Sequence, residues 1–238
     1  MEPVWGLGKS ILYPTLRFGF RLTEAGLDHV PRSGPVILAS NHVSFLDPLF
    51  LLWIGDRNRR KVRFLAMAEL WDSPLLRFFL VHTGQIPVTR EAPGARASLS
   101  HAADALGAGE CLGVFPEGRI SEDLEPLPGK TGVARLAAQT GVPVVPVGVW
   151  GGHRLYPKGR PRRWRVGVAV ALVVGARLSV DADEDVFDAT DRIMGRITDC
   201  LAVARRTYPQ QPRRRDDGWW VRGPDTAVVR PVRRDALG

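Results

Sequence analysis

The stretch "PVILASNHVSFLD" (residues 35–47) sets a short apolar run against an Asn41-His42 pair, with Asp47 five positions beyond the histidine. The run is bounded upstream by Pro31-Arg32-Ser33-Gly34, and its length and punctuation predict a buried β-strand. Such a strand would deliver Asn41 and His42 to its carboxyl end, where open α/β sheets build their sites. In a regular helix five residues advance about 500°, leaving Asp47 some 140° round from His42. A turn at the strand end that enters a helix near Ser44 or Asp47 is therefore needed to bring the pair together. A carboxylate accepting from one imidazole nitrogen fixes the tautomer and leaves the other nitrogen as a base. Taken alone, the same spacing also describes an ordinary buried or surface histidine.

Working outward, strand and helix signals alternate. "VRFLAMA" (62–68), "QIPV" (85–88), "CLGVFPEG" (111–118), "VPVVPVGVW" (142–150) and "RVGVAVALVVG" (165–175) read as strands. The prolines of the fourth predict strand ends or a sheet edge. Helices are predicted at 73–84, opening on Ser-Pro and closing at Gly84, at 92–109, at 129–141 and at 186–208. This alternation predicts a single layered α/β domain with a mostly parallel central sheet flanked by helices.

Two flanks differ from the rest. In residues 1–24, Trp5, Leu12, Leu16 and Phe20 approximate one helical face rimmed by Lys9, Arg17 and Arg21, and Pro14 is expected to kink or interrupt it. An aromatic apolar face with a basic rim fits either a helix packed on the domain or an amphipathic, membrane-associating segment. Residues 25–208 form the expected domain. Residues 209–238 are rich in Arg and Pro without periodicity, which predicts a basic tail disordered on its own, with Trp219 and Trp220 set to dock on lipid or on the domain.

Composition narrows the class. At 238 residues, 45% apolar and 24% charged, the chain suits one generous domain. The net charge of +8 comes almost wholly from arginine and favours anionic partners: nucleic acid, an anionic membrane surface or phosphorylated small molecules. No nucleic-acid-binding module is recognisable, which counts against the first. Cys111 and Cys200 stand far apart, so a disulfide framework is not expected and a reducing compartment is. Neither a secretory signal pattern nor a run of about 18 uncharged apolar residues is present, so the expected protein is soluble or membrane-peripheral.

Three further clusters carry chemistry. "VFPEGRISED" (114–123) places Glu117, Gly118 and Arg119 directly after a strand. Glycine there permits close approach of a ligand, the arginine fork suits phosphate, and Glu117 is suited to hold that arginine or a substrate hydroxyl. "GQIPVTR" (84–90) sets Arg90 just past a short strand. Lys130, in "PGKTG" at a helix start, offers another phosphate contact, without matching a Walker loop. No Gly-x-Ser-x-Gly elbow exists to support a serine hydrolase built on His42, Asp47 and nearby Ser44.

In order, these blocks read His-x4-Asp, Gly-x5-Arg, Phe-Pro-Glu-Gly-Arg and a Val-Pro-rich strand (Val142 to Gly148). The ordered set resembles the PlsC-like glycerolipid acyltransferase family, which includes the 1-acylglycerol-3-phosphate acyltransferases, across roughly residues 25–175. The resemblance implies acyl transfer from acyl-CoA or acyl-carrier protein to a lysolipid hydroxyl, with no cofactor and no metal. In that reading His42 takes the hydroxyl proton and Asp47 orients it, while Arg90, Glu117, Gly118, Arg119 and Lys130 bind an anionic lysolipid acceptor. Expected partners are that acceptor, the acyl donor and the cytoplasmic face of the membrane, with the protein peripheral. Two blocks depart from the family pattern: Pro87 stands where an aromatic is frequent, and Arg119 follows Gly118 directly rather than one position later. Lysophosphatidate, another lysolipid, glycerol 3-phosphate and a glycolipid hydroxyl stay open as acceptors, beside a non-enzymatic basic binding protein.

Overall fold

The run at 35–40 forms a strand buried on both faces. The structure, a computed structural model, describes residues 2–88, 92–212 and 215–221. In chain order its elements are α1 (Glu2–Gly19), β1 (Phe20–Ala25), β2 (Val36–Ser40), α2 (Asp47–Arg57), β3 (Val62–Met67), α3 (Pro74–His82), β4 (Ile86–Val88), α4 (Ala92–Gly107), β5 (Cys111–Val114), α5 (Gly132–Thr140), β6 (Val144–Trp150), β7 (Val168–Val174) and α6 (Val186–Arg206), with short 3-10 turns between and after them. The strands make one seven-stranded sheet in the order β1-β7-β6-β2-β5-β3-β4. Every neighbouring pair is parallel except β6 and β7. That one antiparallel pair puts the amino ends of β7 and β1 at the same sheet edge as the carboxyl ends of β6, β2 and β5.

β2 shows why the sheet is covered on both sides. Its residues alternate faces, and all five are buried. Val36 and Leu38 pack with Phe50, Leu51 and Ile54 of α2. Ile37 and Ala39 pack with Leu106 of α4, Ala134 of α5 and Ile193 of α6. A strand buried on both faces reads as a continuous apolar run rather than an alternating one, which is how "PVILAS" reads. Gly148 of β6 lets α6 lie close to the sheet: a Cβ there would stand 2.4 Å from the backbone of Cys200 and Leu201.

Several expectations are corrected. α1 runs through Pro14 without a break, and its end packs on the domain through buried Leu16 and through Tyr13, stacked on Trp53 at 5.0 Å. Phe20, expected on the helical face, opens β1, and residues 20–25 pair with β7. The sheet thus claims part of the segment expected to stand apart as 1–24. The side chains of Trp5 and Leu12 lie outside the described ones.

β6 is an interior strand, not an edge, because its ladder with β7 starts at Val147, one residue past Pro146. The disorder expected after residue 208 does not hold for Arg215–Trp220, which form a 3-10 turn. Trp220 is 3% exposed and packs with Trp150 and Tyr208. The rest of the tail, from 222, lies outside the described residues.

Candidate active site

β2 and β5 are adjacent and parallel, with Ala39 level with Val114. The segments that leave their carboxyl ends, Asn41–Leu46 and Phe115–Ser121, are therefore neighbours, and each holds the other. The Asn41 side chain turns back to the sheet: its Nδ2 donates to Val149 O at 3.0 Å and its Oδ1 accepts from Val149 N at 2.8 Å. The buried amide thus satisfies one residue of β6 on both sides and anchors the chain just before His42.

The backbone of His42 is clamped by the second segment. Its N–H donates to Glu117 Oε1 at 2.8 Å, and its carbonyl accepts from Ser121 N at 2.8 Å. The ring lies parallel to Phe115, centroids 4.0 Å apart and planes at 17°. Its Nδ1 stands 2.9 Å from Asp47 Oδ2. The turn expected between strand and helix brings this about: Asp47 opens α2, and the same Oδ2 accepts from the amides of Val43 and Ser44 at 2.7 Å each. Asp47 is fully buried, whereas the His42 side chain keeps 15% exposure.

This arrangement sets the tautomer. An aspartate oxygen on Nδ1 makes Nδ1 the protonated nitrogen, so Nε2 carries the free lone pair. Burial pushes the Asp47 carboxyl up from its ordinary range, and the contacts with His42, Ser44 and Val43 pull the other way. Three donors on one carboxylate oxygen are what an ionised aspartate needs when water is excluded.

Glu117 is turned inward. It is 3% exposed, and its two oxygens accept from the amides of His42 and of Leu127, the latter at 2.9 Å. It ties the histidine loop to the loop before α5. Burial pushes its carboxyl up to about 8, against the two amide bonds that lower it.

Gly118 and Arg119 are exposed at this edge of the sheet. Gly118 has φ 65°, and a Cβ there would meet Lys130 Cε at 2.9 Å and Nζ at 3.0 Å. Lys130 is held by its own backbone, whose N–H donates to Pro116 O at 2.9 Å. The structure thus brings Gly118 and Lys130 together beside the His42 clamp, with exposed Arg119 next in the chain. Arg90 lies outside the described residues. β4, which precedes it, sits three strands from β2, about 14 Å across the sheet.

Ser44 is not placed as a nucleophile. Its hydroxyl donates to Tyr156 O at 2.9 Å, accepts from Leu46 N and is buried. Neither cysteine is poised for acyl capture: burial pushes Cys111 up to about 12 and Cys200 up to about 11. Three contributors escape a reading of motifs alone, namely the Ser121 amide, the Phe115 ring and Tyr156. The first two lie inside or beside the "FPEG" block. Tyr156 comes from a loop with no motif.

A mostly parallel α/β sheet thus holds a histidine against a buried carboxylate at the carboxyl ends of its central strands, with the imidazole partly open to solvent. The chain belongs to the acyltransferase family, whose profile matches residues 21–150.

Among its relatives is the chloroplastic 1-acyl-sn-glycerol-3-phosphate acyltransferase BAT2 of Brassica napus, 32% identical over 136 residues. That match covers 56% of this chain and 38% of the plant protein. The 1-acyl-sn-glycerol-3-phosphate acyltransferase of Borreliella burgdorferi is 26% identical over 141 residues, covering 59% of this chain and 55% of the relative. The matches thus span from under two-fifths to just over half of these relatives' lengths. The crystal structure of the 1-acyl-sn-glycerophosphate acyltransferase PlsC from Thermotoga maritima superimposes with a TM-score of 0.69 at 22% identity, over 88% of this chain and 80% of that one. It shares the fold.

Proposed function

We propose that this chain transfers a fatty acyl group from acyl-CoA or acyl-carrier protein to the free hydroxyl of a lysophospholipid, with 1-acylglycerol 3-phosphate as the first acceptor. The observation that carries the proposal is the His42–Asp47 pair, with Nδ1 committed to a buried carboxylate and the ring partly open to solvent. Nε2 takes the proton as the acceptor oxygen attacks the thioester carbonyl, and Asp47 stabilises the imidazolium that results. Collapse of the tetrahedral intermediate breaks the C–S bond, and the proton passes from Nε2 to the departing thiolate. No protein nucleophile is needed, in keeping with the pinned Ser44 hydroxyl and the buried thiols.

Arg119 and Lys130 serve as the acceptor's phosphate ligands and Arg90 as a third; Gly118 leaves the approach open. Glu117 acts through His42 as a positioning residue. The protein works at the cytoplasmic face of a membrane without spanning it; among the described residues no helix is long and apolar enough to cross one.

The test is thiol release from acyl-CoA with a panel of acceptors. Release is expected to depend on 1-acylglycerol 3-phosphate and to fall with a neutral monoacylglycerol. Arg119→Ala and Lys130→Ala are expected to raise KM for the phosphorylated acceptor alone. Acceptor-independent release, or no release with any acceptor, would refute the reading.

A further inference from the structure

Between β6 and β7 runs "YPKGRPRRWRVG" (156–167), five of whose residues are cationic. Residues 159–166 are exposed without interruption, and within them Trp164 is 76% and Val166 85% exposed. Large apolar side chains so open to water, interleaved with arginines, are not the residues of a loop built only to connect strands.

The loop's position is defined. It leaves the carboxyl end of β6 and returns at the amino end of β7, so it lies at the sheet edge that carries His42. Tyr156 ties it to the catalytic turn: its carbonyl accepts from the Ser44 hydroxyl and from Phe45 N, and its ring meets Phe45 at 4.6 Å. Arg162 lies over the same Tyr156 ring at 4.2 Å, and Lys158 pairs with Glu122, just past the Phe115–Ser121 segment, at 3.1 Å. Phe45, three residues after His42, is itself 48% exposed.

At its other end the loop meets α1. Gly167 N donates to Gly19 O at 2.8 Å, which joins the end of the loop to the end of that helix, where Phe18 is 79% exposed. A cavity of about 550 Å³ opens there, lined by Arg21, Arg154, Arg165 and Gln210 among others. Exposed apolar groups thus border an arginine-lined hollow.

We propose that the 156–167 loop, with Phe18 and Phe45, is a docking surface for an anionic lipid bilayer, and that it turns the His42 edge of the sheet toward the membrane. Trp164 and Val166 enter the interface between headgroups and acyl chains, and the arginines take the lipid phosphates. A bilayer fits better than an acidic protein because the apolar groups project singly among cations instead of forming one continuous recess. The proposal rests on the reading that the acceptor is a membrane lipid, but not on the chemistry at His42.

The test is co-sedimentation of the full chain with phosphatidylcholine vesicles, with and without about one-third phosphatidylglycerol. Wild type is expected to prefer the anionic vesicles. Arg163→Glu with Arg165→Glu is expected to weaken that binding at least about fivefold for each cation reversed. Trp164→Ala with Val166→Ala is expected to lower binding several-fold at unchanged thermal stability, since neither side chain is buried. Wild-type binding by both double variants, or a loss seen only for an acidic carrier protein and not for vesicles, would overturn the proposal. Failure here alongside acceptor-dependent turnover by wild type leaves the acyl-transfer reading standing; a wild type that binds anionic vesicles yet turns over no acceptor refutes only the latter.

Discussion

His42 Nδ1 and Asp47 Oδ2 stand 2.9 Å apart, and the same aspartate oxygen accepts the amides of Val43 and Ser44 at 2.7 Å. One carboxylate oxygen therefore shapes the turn and fixes the imidazole. Asp47→Asn keeps the size but offers at best a neutral acceptor, so the charge that stabilises the imidazolium is lost. The expected fall in kcat/KM is about 10³- to 10⁴-fold, by analogy with other histidine–carboxylate pairs. Circular dichroism and steady-state kinetics together check it; a loss under tenfold in a folded variant would remove Asp47 from the mechanism.

Glu117 gives a pH dependence with a definite sign. Burial raises its folded pKa from 4.5 to about 8, so between those values the folded protein holds a proton that the unfolded chain has released. Its contribution to stability is complete below 4.5 and is lost as pH rises toward 8, by at most about 1.4 kcal/mol per unit. Glu117→Gln removes the titration and turns an –NH₂ toward one of the two amides now bonded to the carboxylate. The variant is expected to be less stable than wild type at pH 5, with the gap narrowing toward pH 8. Denaturant midpoints at several pH values measure this, and a constant gap would contradict it.

Trp220 tests the docking of the C-terminal segment. It is 3% exposed, packs with Trp150 and Tyr208 and carries Arg154 over its ring at 4.1 Å. Trp220→Ala is expected to cost about 3 to 5 kcal/mol, which for a chain of this size lowers Tm by roughly 6 to 20 °C. An unchanged Tm would mean that the segment contributes nothing to the domain.

The two thiols make a cleaner prediction. Cys111 and Cys200 are buried with their pKa values pushed well above neutrality, so neither is a ready thiolate. An aromatic disulfide reagent is expected to react only after unfolding, and rapid labelling of the native protein would contradict the packing around β5 and α6.

The fold was legible wherever one element's own pattern decided it. "PVILAS" reads as a buried strand, and the helix periodicity at 186–208 appears as α6. β1 was missed because "FRLTEA" alternates between half-buried and exposed residues and continues a helical-looking apolar series through Phe20; only pairing with β7 makes it a strand. Pro146 pointed to a strand end or an edge, yet it lies inside β6 and the register with β7 begins one residue later, a fact no local pattern encodes.

In the site, the spacing of His42 and Asp47 was readable, and so was the need for a turn. The inward placement of Glu117 was not. A carboxylate beside glycine and arginine looks like a ligand until the neighbouring strand ends bring the His42 and Leu127 amides onto it.

The most direct measurement is thiol release from acyl-CoA with 1-acylglycerol 3-phosphate, comparing wild type with His42→Ala and confirming that the variant is folded. Acceptor-dependent release by wild type, abolished in the variant, is the expected result. Turnover at the wild-type rate without the imidazole would contradict His42 as the base.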